Sequence, residues 1–360
     1  MDRNELSRQF RQLLESTVIP DDELAMPDGI GKHKFLTIEN FVRPHIQKRL
    51  FRYRRVDPYS IISFEHNTIT LCSADLFSDR FDSVVHVDKN RLNEDTKRGF
   101  DWDMQQWIIE EVRTTGHLPE VMIRTYGSEN AEKMASVYKA KTDEEMRQLW
   151  EEGQKFLDMF LENIPKLSEQ IVTGIRKDEE FKIACFTEDI GSTYMWDKYA
   201  DGYKGFALEY DLTGAIGADF SEPLNERVYP YLYPIIYSDA KYDATDIASW
   251  LFNNAFYGPQ GFASFPCPDT LFKYKALLYK DARYSHEREW RLMGSCEKMK
   301  GEKAMEVTSG TKMKAIYYGP YMDKVIKNHL REWAKIHGIK EYEVGLDDNS
   351  RGFDLVIEPL

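Results

Sequence analysis

From Lys89 to Lys177 the chain shows only helical patterning, and every stretch rich in β-forming residues lies before or after that block. Within it Gln106, Ile109 and Val112, then Leu149, Phe156, Leu157, Phe160 and Leu161, recur at helical intervals with charges between them. Interruptions fall near Gly116, Pro119 and Gly127. A sheet must therefore be assembled from two halves of the chain that a helical insertion separates. The pattern predicts an α+β protein. Residues 1–88 supply an N-terminal helix and the first half of the core, 89–178 the insertion, and 179–360 the second half.

In the first half, residues 2–16 carry Leu6, Phe10, Leu13 and Leu14 on one helical stripe. Val18 to Lys34, broken by Pro20, Pro27, Gly29 and Gly31, reads as loop, with a short helix over Thr37 to Lys48. Arg49 to Val56 reads as a strand and Tyr59 to His66 as a helix, capped by Asp57 with Pro58 at its first position. Thr68 to Ser73 is a second strand, followed by an acidic loop from Asp75 to Asp82. In the second half, strands are predicted at Phe181–Thr187, Gly205–Tyr210, Val228–Tyr237, Met313–Tyr318 and Phe353–Ile357, and a helical turn at Ser192–Tyr199. Helices are predicted at Ala244–Phe256, Leu271–Tyr279 and Asp323–His337, and a Gly/Pro loop at Gly258–Pro268.

At 360 residues the chain can bury one large core or two ordinary ones. With 42% hydrophobic and 30% charged residues it is patterned as a soluble globular protein, not a disordered one. The net charge of −13 disfavours wrapping nucleic acid over the whole surface, while leaving room for a local basic groove. Cys72, Cys185, Cys267 and Cys296 make no paired motif, which fits a reducing cytoplasm. No apolar signal core or membrane-length apolar run is present, so the expectation is a cytoplasmic protein without a membrane partner.

Chemistry is concentrated in Tyr279–Met293, YKDARYSHEREWRLM. Read as a strand, Glu287, Glu289 and Arg291 share one face, and His286, Arg288, Trp290 and Leu292 the other. Two carboxylates in line repel unless a cation or a substrate sits between them. The plain structural reading is an exposed charge ladder neutralised by Arg291. A second candidate is the basic strand, where Arg52 and Arg54 share a face and could fork around a diphosphate or ribose. Its structural alternative is a sheet edge guarded by cations. A third is the run Tyr194, Trp196 and Tyr199 leading to Gly202 and Gly205, which could stack a flat ring or simply anchor the core. Neither Asp75, Asp79, Asp82 and Asp88 nor the scattered histidines show metal-ligand spacing, so no metal is expected. No phosphate-binding glycine loop, dinucleotide fingerprint or nucleophile elbow is present in the sequence.

Several segments in order resemble the bacterial family called domain of unknown function 2971. They are LFRYRRV at Leu50–Val56, LFSDRFD at Leu76–Asp82, CFTED at Cys185–Asp189 and MWDKYADGYKGFALEYD at Met195–Asp211. Lys280 with EREWR at Glu287–Arg291, and IYYGPYM at Ile316–Met322, complete the order. Ser78, Arg80 and Asp82 depart from the family's usual acidic loop. More distantly the layout is similar to the ADP-ribosyltransferase fold, which implies a core of mixed, mainly antiparallel sheets and NAD as substrate. By that resemblance Arg52, with Arg54, would hold the ribose–diphosphate, and Tyr194 or Tyr199 would pack on the nicotinamide. Glu289 would be the catalytic carboxylate, with Glu287 activating the acceptor. The acceptor would be a nucleic acid or a protein, and the biological setting a bacterial toxin or phage-defence effector. Two other readings stand beside it. One is metal-independent RNA or phosphodiester chemistry with Glu289 as base; the other is a non-catalytic defence module that binds a protein partner through its helical insertion.

Overall fold

The computed structural model describes residues 1–25, 29–77, 79, 81–99, 101–178, 181–214, 231–257, 264–294, 304–308, 313–347, 350–352 and 354–360. Helix α1 (Arg3–Ser16) begins where Asp2 accepts from the Glu5 amide at 2.9 Å, and it buries Leu6, Phe10 and Leu14. The next segment, expected to be loop, carries α2 (Asp21–Ala25) and α3 (Ile30–Val42). Pro20 stands just before α2, and Gly29, at φ 71°, just before α3, so these breakers mark helix boundaries. Pro27 lies outside the described residues. The helix expected over Thr37–Lys48 accordingly starts earlier and gives way to a 3-10 turn at Arg43–His45.

Strand β1 (Leu50–Arg54), helix α4 (Pro58–Glu65) and strand β2 (Thr68–Cys72) follow as predicted, with Asp57 accepting from the Ser60 amide at 2.8 Å. After the short β3 (Val85–His86) comes the helical block: α5 (Lys89–Gly99), α6 (Trp102–Thr115), α7 (Glu120–Tyr126), α8 (Ser128–Ala140), α9 (Asp143–Glu162) and α10 (Ile164–Arg176). Gly116, at φ 89°, ends α6 where a side chain would be strained. The second half opens with β4 (Lys182–Thr187), α11 (Thr193–Tyr199) and β5 (Phe206–Tyr210). The segment expected as one strand to Tyr237 is β6 (Tyr231–Pro234) and β7 (Ile236–Ser238), its residues 228–230 lying outside the described set. Next are β8 (Tyr242–Asp243), α12 (Thr245–Tyr257), α13 (Phe272–Leu278), β9 (Tyr279–Asp281) and β10 (Glu289–Gly294). Residues 258–263 of the expected Gly/Pro loop, Cys296, Ser78, Arg80 and Phe353 are likewise outside the described set. The chain ends with β11 (Ala304–Thr308), β12 (Met313–Tyr318), α14 (Lys324–His337), β13 (Lys340–Leu346) and β14 (Leu355–Pro359). Strands β3, β8, β9, β11 and β13 were not expected from the sequence.

The main sheet runs β11-β2-β4-β1-β5-β12-β13-β14, with β10 on β4 and β6 on β10. Of its pairings only β12 with β13 is parallel among the described residues, so the α+β, mainly antiparallel expectation holds. One face carries the principal core, including Phe64, Ile69, Phe186, Leu208, Trp290 and Leu292. A smaller cluster on Phe51, Tyr53, Trp196, Ala207 and Tyr317 covers the other side of β1, β5 and β12. The insertion divides. Leu157 and Leu161 of α9, with Leu167, Ile171 and Ile175 of α10, join the principal core. Ile108, Val112, Met134 and Tyr138 of α6 and α8 make a separate one.

The feature that positions the site is a fork in this sheet. Strand β4 pairs along its length with β10, from Glu289 opposite Thr187 to Gly294 opposite Lys182. On its other edge it meets β1 at Phe51 opposite Thr187 and β2 at Cys72 opposite Ile183. Strands β1 and β2 therefore diverge, and a cavity opens at the fork.

Candidate functional site

The cavity has a volume of about 360 Å³, and its walls include Arg52, Arg54, Cys185, Tyr199, Lys280, Glu287, Glu289 and Arg291. It gathers residues from β1, β4, α11, β9 and β10, elements far apart in sequence. Of the site residues expected from sequence, Arg52, Arg54, Tyr199, Glu287 and Glu289 line it. Tyr194 does not line it; its ring packs edge-on against His286 at 4.4 Å, beside the mouth.

Arg52 and Arg54 do share a face of β1, as alternation requires. That face is opposite to the one on which Phe51, Thr187 and Glu289 lie side by side in register. The Arg52 guanidinium stacks over Phe186 and donates to the Thr70 carbonyl at 2.8 Å, and Arg54 donates to the Thr70 hydroxyl at 3.3 Å. Both thus bridge the fork from β1 to β2.

The two carboxylates come together by a route that strand alternation does not describe. Strand β10 begins at Glu289, whereas Glu287 ends a 3-10 turn over Ala282–Glu287. Arg288, at φ 45°, makes the reversal between them, which replaces the continuous strand expected from Glu287 onward. Glu287 is fixed by its carbonyl, which accepts from the Thr187 hydroxyl at 2.7 Å. Glu289 is fixed by its backbone: its amide donates to the Tyr237 hydroxyl at 2.8 Å, and its carbonyl accepts from Arg3 at 2.7 Å.

A cation does sit between the carboxylates. Lys280 of β9 donates to Glu289 Oε2 at 2.7 Å and to Glu287 Oε2, and it lies 3.9 Å from Asp82. Arg291, fully buried, donates to Glu289 Oε1 at 2.7 Å, to Asp82 Oδ2 at 2.5 Å and to the Leu277 carbonyl. The exposed charge ladder is thereby overturned: Glu287, Glu289 and Arg291 are all buried. Burial pushes the Glu289 carboxyl up, but Arg291 and then Lys280 outweigh it and hold the group well below the usual carboxylate range. Burial works against the Lys280 ammonium too, and Glu289 and Glu287 overcome it, so Lys280 stays charged. The Cys185 thiol, half-buried and next to Glu289, is pushed well above its ordinary value by desolvation and then by Glu289, and is no thiolate nucleophile.

At the mouth, Glu287 Oε1 accepts from the Tyr199 hydroxyl at 3.1 Å and from Lys198 Nζ at 3.3 Å. Burial, then Glu287, raise the Tyr199 pKa, so its phenol remains a donor. Trp290 faces away into the core, where its Nε1 donates to Glu188 at 2.7 Å. The acidic loop is wrapped on Arg176, whose guanidinium donates to the carbonyls of Ala74, Phe77, Asp79 and Asp82. That loop supplies Asp82 to the cluster. From the sequence, Asp82 was weighed only as a metal ligand and set aside, Lys198 was not named as a site residue, and Lys280 entered only through a family resemblance. The requirement for a cation between two aligned carboxylates was the signal that could have found Lys280.

A family model described as a protein of unknown function (DUF2971) matches residues 195–292, from α11 to β10. The match supports the resemblance to that family seen in the sequence, and its interval contains Lys198, Tyr199, Lys280, Glu287, Glu289 and Arg291. Arg52, Arg54 and Asp82 lie outside it. No curated protein and no solved structure matches the chain. Among the described residues no helix is long and apolar enough to cross a membrane.

Proposed function

We propose that the chain cleaves the nicotinamide–ribose bond of NAD and transfers ADP-ribose to a macromolecule. The observation that carries this reading is the convergence on one cavity of Arg52 and Arg54, Tyr199, and the carboxylates Glu287 and Glu289. Cleavage leaves the bonding electron pair on nicotinamide and builds positive charge on the ribose. Glu289, held ionised, supplies negative charge to that developing cation without a metal. The acceptor's nucleophilic atom then bonds to the ribose carbon, and its proton passes to Glu287. Arg52 and Arg54 would hold the ribose–diphosphate by exchanging part of their bonding to Thr70 for phosphate oxygens. The test is incubation with labelled NAD and cell lysate. The expected result is release of nicotinamide and labelling of a macromolecule, both lost in Glu289→Gln, while a variant that labels as well as the parent would remove Glu289 from catalysis.

A second reading is favoured by the pairing of both carboxylates with buried cations: the cluster would be the polar core of a non-catalytic module. Its partner would dock on the helical insertion, where Met159 of α9 is exposed. It predicts that surface substitutions along α9 abolish function in a folded protein, while Glu289→Gln lowers stability through Lys280 and Arg291 but leaves the folded fraction functional.

A further inference from the structure

We propose that Lys198 is a resident counter-ion at a subsite for an organic cation, and that a ligand's positively charged group displaces its ammonium from Glu287. This rests on reading the cavity as a ligand site, and on nothing about glycosidic chemistry.

The charge balance of the cluster carries the argument. Asp82, Glu287 and Glu289 are three buried carboxylates, while Lys280 and Arg291 are two buried cations. Lys280 bridges two of the carboxylates and Arg291 two, so neither can leave without stranding charge. The third positive charge is Lys198 of α11, which does not itself line the cavity but reaches the cavity residue Glu287 with its side chain 29% exposed. Arg52, Arg54 and Arg55, with Asp79, line other parts of the cavity, and Arg52 and Arg54 are engaged by Thr70.

The surroundings of Lys198 are those of a cation receptor. Its Nζ lies 5.1 Å from the centre of the Tyr194 ring, 4.9 Å from Tyr199 and 5.2 Å from Tyr284. It donates to the Tyr194 hydroxyl at 2.8 Å and to Glu287 at 3.3 Å. Aromatic faces gathered round a carboxylate bind ammonium and other organic cations through the ring quadrupoles and the ion pair. A lysine head on its four-carbon stem can swing into water, unlike the buried Lys280. An incoming cation would take over the rings and Glu287 together, preserving neutrality. A neutral group that released Lys198 would leave Glu287 with Lys280 and the Tyr199 hydroxyl, but the three buried carboxylates would be one positive charge short.

The experiment is calorimetric titration of the full chain with 1-methylnicotinamide, a planar pyridinium cation, with uncharged nicotinamide, and with methylguanidinium. The wild type is expected to bind the first and not the second. Lys198→Met should tighten the cation by roughly tenfold and leave nicotinamide unchanged, and Glu287→Gln should abolish cation binding. Binding of methylguanidinium as well would define a general cation cage; binding of the pyridinium alone would define one shaped for a flat ring. Lys198→Arg, which keeps the charge, guards against a folding defect and should bind more weakly than Lys198→Met. Cation affinity equal in wild type and Lys198→Met, or absent from both, would overturn the proposal. Cation binding without NAD turnover would leave it standing and remove the ADP-ribosyl reading.

Discussion

Lys280 is the residue on which the site depends. Its side chain is 5% exposed, and its ammonium holds Glu287 and Glu289 on either side. Removing one partner of a buried ion cluster costs more than the cluster is worth, because the remaining charges are stranded. Lys280→Met should therefore lower stability by about 3–5 kcal/mol, and adding Glu287→Gln should restore part of it. Urea unfolding of the two single variants and the double variant measures this, and a Lys280→Met protein as stable as the parent would show that water already solvates the cluster. At this scale the sequence was informative about the carboxylates and about Arg291 as a neutraliser, but it did not place Lys280 between them. Glu287 and Glu289 stand two apart in a run with strand alternation, whereas Lys280 lies seven residues before Glu287 in another element and Asp82 about two hundred residues earlier. Only tertiary pairing, Tyr237 of β7 opposite Lys280 of β9, brings the ammonium in.

Elements were legible where local chemistry marks their ends, as with Asp57-Pro58 at the start of α4 and Gly338, at φ 68°, after α14. They were misread where the same residues punctuate instead of break, as at Pro20 and Gly29. The strand was drawn too long toward Glu287 because Arg288 gives no sign that it takes a left-handed conformation. The helix so recovered, α3, carries a titratable group into the core. Glu39 is buried, accepts a hydrogen bond from the Tyr233 hydroxyl of β6, and is pushed up to about 7, chiefly by burial. The folded state thus holds a proton that the unfolded chain releases near 4.5. Stability from this group is full below about 4.5 and is lost as pH rises through about 7, a gap of roughly 2.5 pH units or about 3 kcal/mol. Glu39→Gln keeps an acceptor for Tyr233 and cannot ionise. It should match the parent at pH 5 and exceed it at pH 8 in thermal unfolding; parallel pH profiles for the two proteins would refute the assignment.

The whole molecule follows from placing about ninety helical residues inside a sheet. The change of period at Lys89 announced the insertion, but the fork of β1 and β2 over β4 could not be read, since it depends on register between strands more than a hundred residues apart. Helices α9 and α10 are part of the main body through Leu157, Leu161, Ile171 and Ile175, which share its core. The outer portion, α6 to α8 with Met146 at the start of α9, has its own core and touches the body through Tyr126 of α7 against Phe265 at 5.4 Å. A segment with a separate core can open at a lower free energy than the sheet it decorates. Val112 is fully buried in that outer core, so Val112→Asp places an unpaired carboxylate there. The expected outcome in native-state hydrogen exchange is loss of protection confined to residues 102–146, with β4 and β10 still protected and the cluster on Lys280 still formed. If ADP-ribosyl transfer is the activity, that variant should still release nicotinamide; if the outer helices α6 to α8 are the working surface, it should lose function with its sheet intact. Loss of protection throughout the sheet would mean that the outer helices and the forked core fold as one cooperative unit, and that the insertion helps to hold the fork open.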